Sequence, residues 1–225
     1  VYPQNTWTYI GSHSSSCLSG GGGGPLPGAC SDLFFSEYGE GSSNHKYIEI
    51  YNPTSSAISL AGYTVYLSGN GGSYTNTFTS NASIASGDVY VVSTNQADSI
   101  IQAAADTILS YPSIVHFNGD DALILFDGTD TIDVIGVPGV DPGSSWPVGS
   151  GSTANHTLVR MASITGGTTD WTTGALEWDV YPQNTWTYIG SHSSSCLSGG
   201  GGGPLPGACS DLFFSEYGEG SSNHK

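Results

Sequence analysis

Basic residues are nearly absent. Lys46, Arg160 and Lys225 stand against nineteen acidic residues, and the net charge is −16. Nucleic-acid backbones and anionic membranes are bound by Lys and Arg that displace counterions, so this balance argues against both as partners. An acidic surface favours solubility and leaves divalent cations as one way to quench repulsion. Long apolar runs are missing too. None reaches the length of about 18 residues that a membrane span needs. No secretory leader is visible, since Val1 reads as mid-strand; a leader would lie outside these residues. Catalytic signatures are also lacking. There is no G-x-S-x-G, H-E-x-x-H, P-loop or EF-hand loop, and the histidines at 13, 45, 116, 156, 192 and 224 are scattered. The chain reads as a non-enzyme.

What is there is a duplication. Residues 1–46 reappear letter for letter as residues 180–225, an offset of 179. Repeats on this scale set domain boundaries before anything else does. Two origins compete: a natural array of a 179-residue unit, or a copied piece fused to a single domain. The copied piece holds a last strand, a linker and a first strand, which favours the array. The expected organisation follows. Residues 1–13 are the last strand of a preceding repeat, and 14–31 are a Gly/Ser/Pro linker. Residues 32–192 form one complete domain, 193–210 the next linker, and 211–225 the first strand of a following repeat. Isolated strands have unpaired edges, so these ends are expected to find partners in identical neighbouring repeats, as a homopolymer.

Of the four cysteines only two are independent: Cys17 and Cys30 return as Cys196 and Cys209. Each pair brackets a Gly-rich stretch. The expected disulfides are Cys17–Cys30 and Cys196–Cys209, each closing a short loop worth about 3 kcal/mol in the chain-entropy picture. Free thiols are the alternative, and the spacing suits no common zinc finger. Little lysine with much Gly, Ser, Thr and Tyr points to an extracellular or cell-surface protein.

Strands are expected at Tyr47–Tyr51, 62–67, 75–79, 88–93, 122–126, 131–135 and 158–161, and again at Trp186–Ile189. Residues 97–106 carry the one helix pattern, with Ile100, Ile101, Ala104 and Ala105 as its apolar stripe. Many short strands with Gly/Pro turns and one short helix mean an all-β sandwich.

Phe35-Ser36-Glu37-Tyr38-Gly39-Glu40-Gly41, Lys46-Tyr47-Ile48-Glu49-Ile50-Tyr51-Asn52-Pro53 and Leu60-Ala61-Gly62-Tyr63 carry a likeness. It continues through Asn118-Gly119-Asp120-Asp121, Ile132-Asp133-Val134-Ile135-Gly136, Leu158-Val159-Arg160, Trp178-Asp179-Val180-Tyr181-Pro182 and the close at Thr185–His192. In that order these motifs resemble a bacterial lamin tail domain. The resemblance implies an immunoglobulin-like β-sandwich of the kind found as an accessory module in secreted and surface proteins. It supplies no catalytic residues.

Asp120 and Asp121 follow Asn118-Gly119. In a turn, both can serve one cation, with Glu37, Glu40 and Asp141 as further oxygen ligands for calcium. The alternative is aspartates capping a turn. Asn81 and Asn155 head N-glycosylation sequons in loops, and the Ser-rich stretch 12–19 suits O-linked sugar. Tyr2, Trp7, Tyr9, Trp146, Trp171 and Trp178 are either a sugar platform or packing, with Trp146 expected exposed. The functional expectation is a structural subunit of an extracellular filament. The alternative is an accessory module binding carbohydrate or a cell surface.

Overall fold

A computed structural model of the chain describes residues 30–197. The expected strand at 1–13, Tyr2, Trp7 and Tyr9, most of the first linker with Cys17, and the second linker beyond 197 with Cys209 and strand 211–225 lie outside the described residues.

In chain order the strands are β1 (Phe34–Glu40), β2 (Lys46–Tyr51), β3 (Ile58–Ser59), β4 (Thr64–Ser68), β5 (Asn76–Phe78), β6 (Ser83–Ile84) and β7 (Val89–Thr94). After helix α1 (Ser99–Ala104) come β8 (Thr107–Leu109), β9 (Ala122–Phe126), β10 (Thr131–Ile135), β11 (Pro147–Val148), β12 (Gly151–Ser152) and β13 (His156–Arg160). Helix α2 (Trp171–Gly174) and β14 (Trp178–Pro182) complete the set. One sheet has six strands in the order β14-β13-β1-β2-β7-β8, and a second has four, β10-β9-β4-β5. Two short hairpin-like ladders, β11-β12 and β3-β6, stand beside them. All ladders are antiparallel except β7 with β8, which α1 joins as a crossover. The all-β sandwich is as expected, with two short helices instead of one. The helix starts where the Asp98 side chain accepts a hydrogen bond from the N–H of Ile100 at 2.9 Å, and it is shorter than the 97–106 pattern. Of its expected stripe only Ile101 is fully buried, while Ile100 points to solvent.

Between the sheets, Phe35, Tyr38, Ile48, Ile50, Val92 and Leu158 meet Val65, Leu67, Leu123, Leu125 and Ile135 in one apolar cluster. This follows from period-two alternation, which gives each strand one inward set. β1 and β2 break the usual pattern: every residue of both is buried. Their outward set, Phe34, Glu37, Gly39, Tyr47, Glu49 and Tyr51, must therefore be covered by something else. Gly39 is fixed by this arrangement, because a Cβ there would lie 2.2 Å from the Tyr47 ring.

The cover is residues 183–196, which cross the outer face of the six-stranded sheet as a strap. Trp186 and Ile189 pack on a second cluster of Tyr47, Val91, Ala97 and Ile101. His192 stands edge-on to Phe34 and Tyr51, with ring centroids 5.9 and 4.8 Å away. The expected strand at Trp186–Ile189 is thus an irregular strap. β14 stops at Pro182, and Asn184 at φ 65° and Gly190 at φ 91° bend the chain out of any ladder.

The strap ends in a disulfide, Cys30–Cys196, with Cα atoms 5.5 Å apart across a sequence separation of 166. This corrects the Cys17–Cys30 and Cys196–Cys209 pairings. The reason lies in the loop before α2. Thr165 O accepts from Cys30 N, Ala162 O accepts from Ser195 N at 2.9 Å, and Ile164 O accepts from Ser194 Oγ at 3.2 Å. One loop thus holds both cysteines side by side, which spacing along the chain does not reveal.

Candidate functional site

The five carboxylates expected to gather around calcium divide between two faces. Successive strand residues point to opposite sides, so Glu37 lies under the strap while Glu40 lies at the sandwich end near Asp120 and Asp121. There the cation is Lys46. Its Nζ donates to Glu40 Oε1 at 2.8 Å, to the carbonyl of Phe117, and to Asn118 Oδ1 at 3.3 Å. Glu40 Oε2 accepts from Asn155 N. Asp121 closes its turn as the capping alternative has it. Its Oδ2 accepts from Asn118 N and its Oδ1 from Asn70 N, both at 2.7 Å. Asp120 Oδ1 is buried without a partner. Glu40, Asp121 and Asp120 together raise the pKa of the Tyr38 hydroxyl, after the larger effect of its burial. Asp141 is exposed and accepts from Gly143 N at 2.7 Å, so it stays out of the group. Among the described residues no three His, Cys, Asp or Glu side chains are arranged to hold a metal ion. The calcium set therefore does not converge: its nearest members are spent on Lys46 and on backbone N–H groups.

Arg160, the other basic residue in the described chain, is also buried. Its guanidinium lies 4.6 Å from the Trp178 ring centroid and 5.7 Å from that of Phe34. Nη2 donates to Asp133 Oδ1 at 3.1 Å and ion-pairs with Glu177 at 3.0 Å. Asp133 also accepts from Phe35 N at 2.9 Å and Thr168 N at 3.0 Å, pinning β1 and the segment before α2 to β10. Burial raises the Glu177 carboxyl, and Arg160 opposes that. With both cations turned inward, the described surface presents no Lys or Arg at all.

The least ordinary chemistry lies beneath the strap. Glu37 and Glu49 face each other in the β1–β2 register, both about 1 % exposed. Tyr47 Oη donates to Glu37 Oε1 at 2.5 Å, Ser36 Oγ to Glu49 Oε1 at 2.7 Å, and Gly190 N of the strap to Glu49 Oε2 at 2.7 Å. Burial pushes Glu37 up to about 8, its Tyr47 hydrogen bond opposing and Glu49 adding. Burial likewise pushes Glu49 up to about 7, against the Ser36 and Gly190 hydrogen bonds. The sequence marked Glu37 only as a calcium ligand and did not mark Glu49, because alternation alone places Glu49 on a solvent face.

The expected sugar platform is not assembled from its described members. Trp146, Trp171 and Trp178 are buried. Trp146 was expected outside. Its backbone N–H donates to Thr153 Oγ1 at 3.0 Å, and its ring lies so close over Gly136 that a Cβ there would come within 2.6 Å. Asn81 and Asn155 both stand exposed outside the strands, and Asn155 Oδ1 accepts from Gln183 Nε2 at 2.7 Å.

No curated protein matches the chain. The lamin tail domain profile matches residues 27–139, from just before Cys30 to the turn after β10. That is half of the chain, and it covers both sheets' central strands. The chain belongs to the lamin tail domain family.

Proposed function

We propose that this protein is a structural subunit of an extracellular filament or surface fibre in which identical sandwich units follow one another along the chain. The observation that carries this reading is the 46-residue identity at an offset of 179. Repeated units stacked in series are how solenoids and arrays are built. The Cys30–Cys196 disulfide supports an oxidising, extracellular setting. A described surface without basic groups supports this reading, since like charge keeps neighbouring units from sticking out of register. Among the described residues no helix is long and apolar enough to cross a membrane.

The disulfide also shapes the proposed assembly. The chain comes into a unit at Cys30 and leaves it at Cys196, 5.5 Å away. The next unit's equivalent of Cys30 is Cys209, 13 residues further on. Units therefore hang beside a short connecting path, and their spacing along it is at most about 50 Å, the 13-residue reach plus the width of the disulfide. Electron micrographs of the native material test this. Fibres with an axial repeat within that bound are expected, and isolated particles of a single unit would overturn the reading. The alternative, a carbohydrate-binding module, rests on Tyr66 and Tyr74, stacked at 4.4 Å with Tyr74 half exposed. Silence on a glycan array would remove it.

A further inference from the structure

The end of β14 together with the strap is the same sequence as the first residues of the chain. Residues 1–17 repeat residues 180–196, so Tyr2, Asn5, Trp7, Ile10, Gly11, His13 and Cys17 correspond to Tyr181, Asn184, Trp186, Ile189, Gly190, His192 and Cys196. The groove that holds 180–196 makes at least five specific contacts. Thr157 pairs with Tyr181, Ser42 N donates to Asn184 Oδ1 at 2.9 Å, and Trp186 and Ile189 sit on the Tyr47 cluster. Glu49 accepts from Gly190 N, and Phe34 with Tyr51 flanks His192. Cys30 then locks the end. Every one of these contacts is available in kind to a second molecule of the same sequence.

We propose that the outer face of the six-stranded sheet is a docking groove for the strap sequence itself, so that residues 1–17 of one copy seat on the sheet of another in place of its own 180–196. This rests on the filament reading and supplies its joint. Because the contacts of the two straps are identical, exchanging one for the other costs nothing in contact energy. The balance is then set by effective concentration, which is high between neighbours on one chain. The covalent step is thiol–disulfide exchange. The incoming strap's cysteine thiolate attacks Cys30 Sγ and a new S–S bond forms. The Cys30–Cys196 bond breaks, its electron pair leaves on Cys196 Sγ, and that sulfur takes up a proton. No oxidant is consumed.

The test uses the full 225-residue chain with Cys17→Ser and Cys209→Ser, in which Cys30 and Cys196 are the remaining cysteines. It is incubated, oxidised, with a reduced synthetic peptide of residues 1–17. Cleavage after Glu37 and Glu177 separates the two cysteines for mass mapping. The expected result is peptide bonded to Cys30, with Cys196 released as a thiol. A peptide with Ser in place of Trp7 and Ile10 should couple at least about tenfold more slowly, since pre-binding raises the local thiol concentration. Equal coupling by both peptides, equal partition between Cys30 and Cys196, or no coupling under conditions where a small thiol reduces the disulfide would each overturn the proposal. The filament reading fails separately, on micrographs. Fibres without peptide capture would leave units joined by linkers alone, and capture without fibres would leave a groove that serves some smaller assembly.

Discussion

Glu37 and Glu49 are two acids where a sheet ordinarily keeps one or none. Placing carboxylates opposite each other and roofing them favours the protonated form, so their ionisation works against the fold. The unfolded chain gives up these protons near 4.5, while the folded chain holds them to about 8 and about 7. Their contribution to stability is therefore greatest in acid and is lost as pH rises through that interval. His192 acts in the opposite sense. Burial first, and Arg160 second, push it down to about 4, so below its ordinary 6.5 it favours unfolding. Between pH 6.5 and 8 the carboxylates act alone, and stability should fall as pH rises. Glu37→Gln keeps the shape and removes the titration that reaches highest in pH, leaving that of Glu49. Thermal melts across that window should slope downward throughout for the native protein, while the variant, which keeps Glu49, should flatten above about pH 7.

At the scale of elements, β9 and β10 were legible to the residue. The run Ala122–Phe126, the Asp127-Gly128-Thr129-Asp130 turn and the alternating 131–135 leave no other pairing. β2 was legible too, but only half of its environment: Ile48 and Ile50 announce the core, while nothing announces the roof over Tyr47, Glu49 and Tyr51. Trp186, Tyr188 and Ile189 misled for a physical reason. A strap lying on a sheet needs apolar groups on one side just as a strand does, and its departures from strand geometry sit in single residues such as Asn184 and Gly190. The calcium set misled because a lone lysine, Lys46, already answers Glu40. The disulfide was invisible because the loop that presents Cys30 to Cys196 makes its contacts through backbone carbonyls, which any residue supplies. Trp186→Ser should strip part of the roof. A loss of about 2 kcal/mol is expected in denaturant melts, given partial burial. Hydrogen exchange should rise at Gly190 and at the backbone of β2.

For the whole molecule, closing a separation of 166 residues removes far more unfolded-chain freedom than a short linker loop would. The chain-entropy estimate is about 5 kcal/mol. Reduction should lower the melting midpoint markedly, and Cys30→Ser should reproduce that shift without added reductant. An unchanged midpoint in the variant would mean that the strap is held by Trp186, Ile189 and His192 alone.

The 5.5 Å between the first and last fixed points of the unit has a mechanical meaning. In the proposed array a pull would pass from one sulfur to the other and would not load the sheets. Within each unit the disulfide would hold back a reserve of about 55 nm of slack, 166 residues at full stretch. In the proposed fibre a reducing environment would release that slack one unit at a time, so thiol chemistry, rather than load, would set when it lengthens.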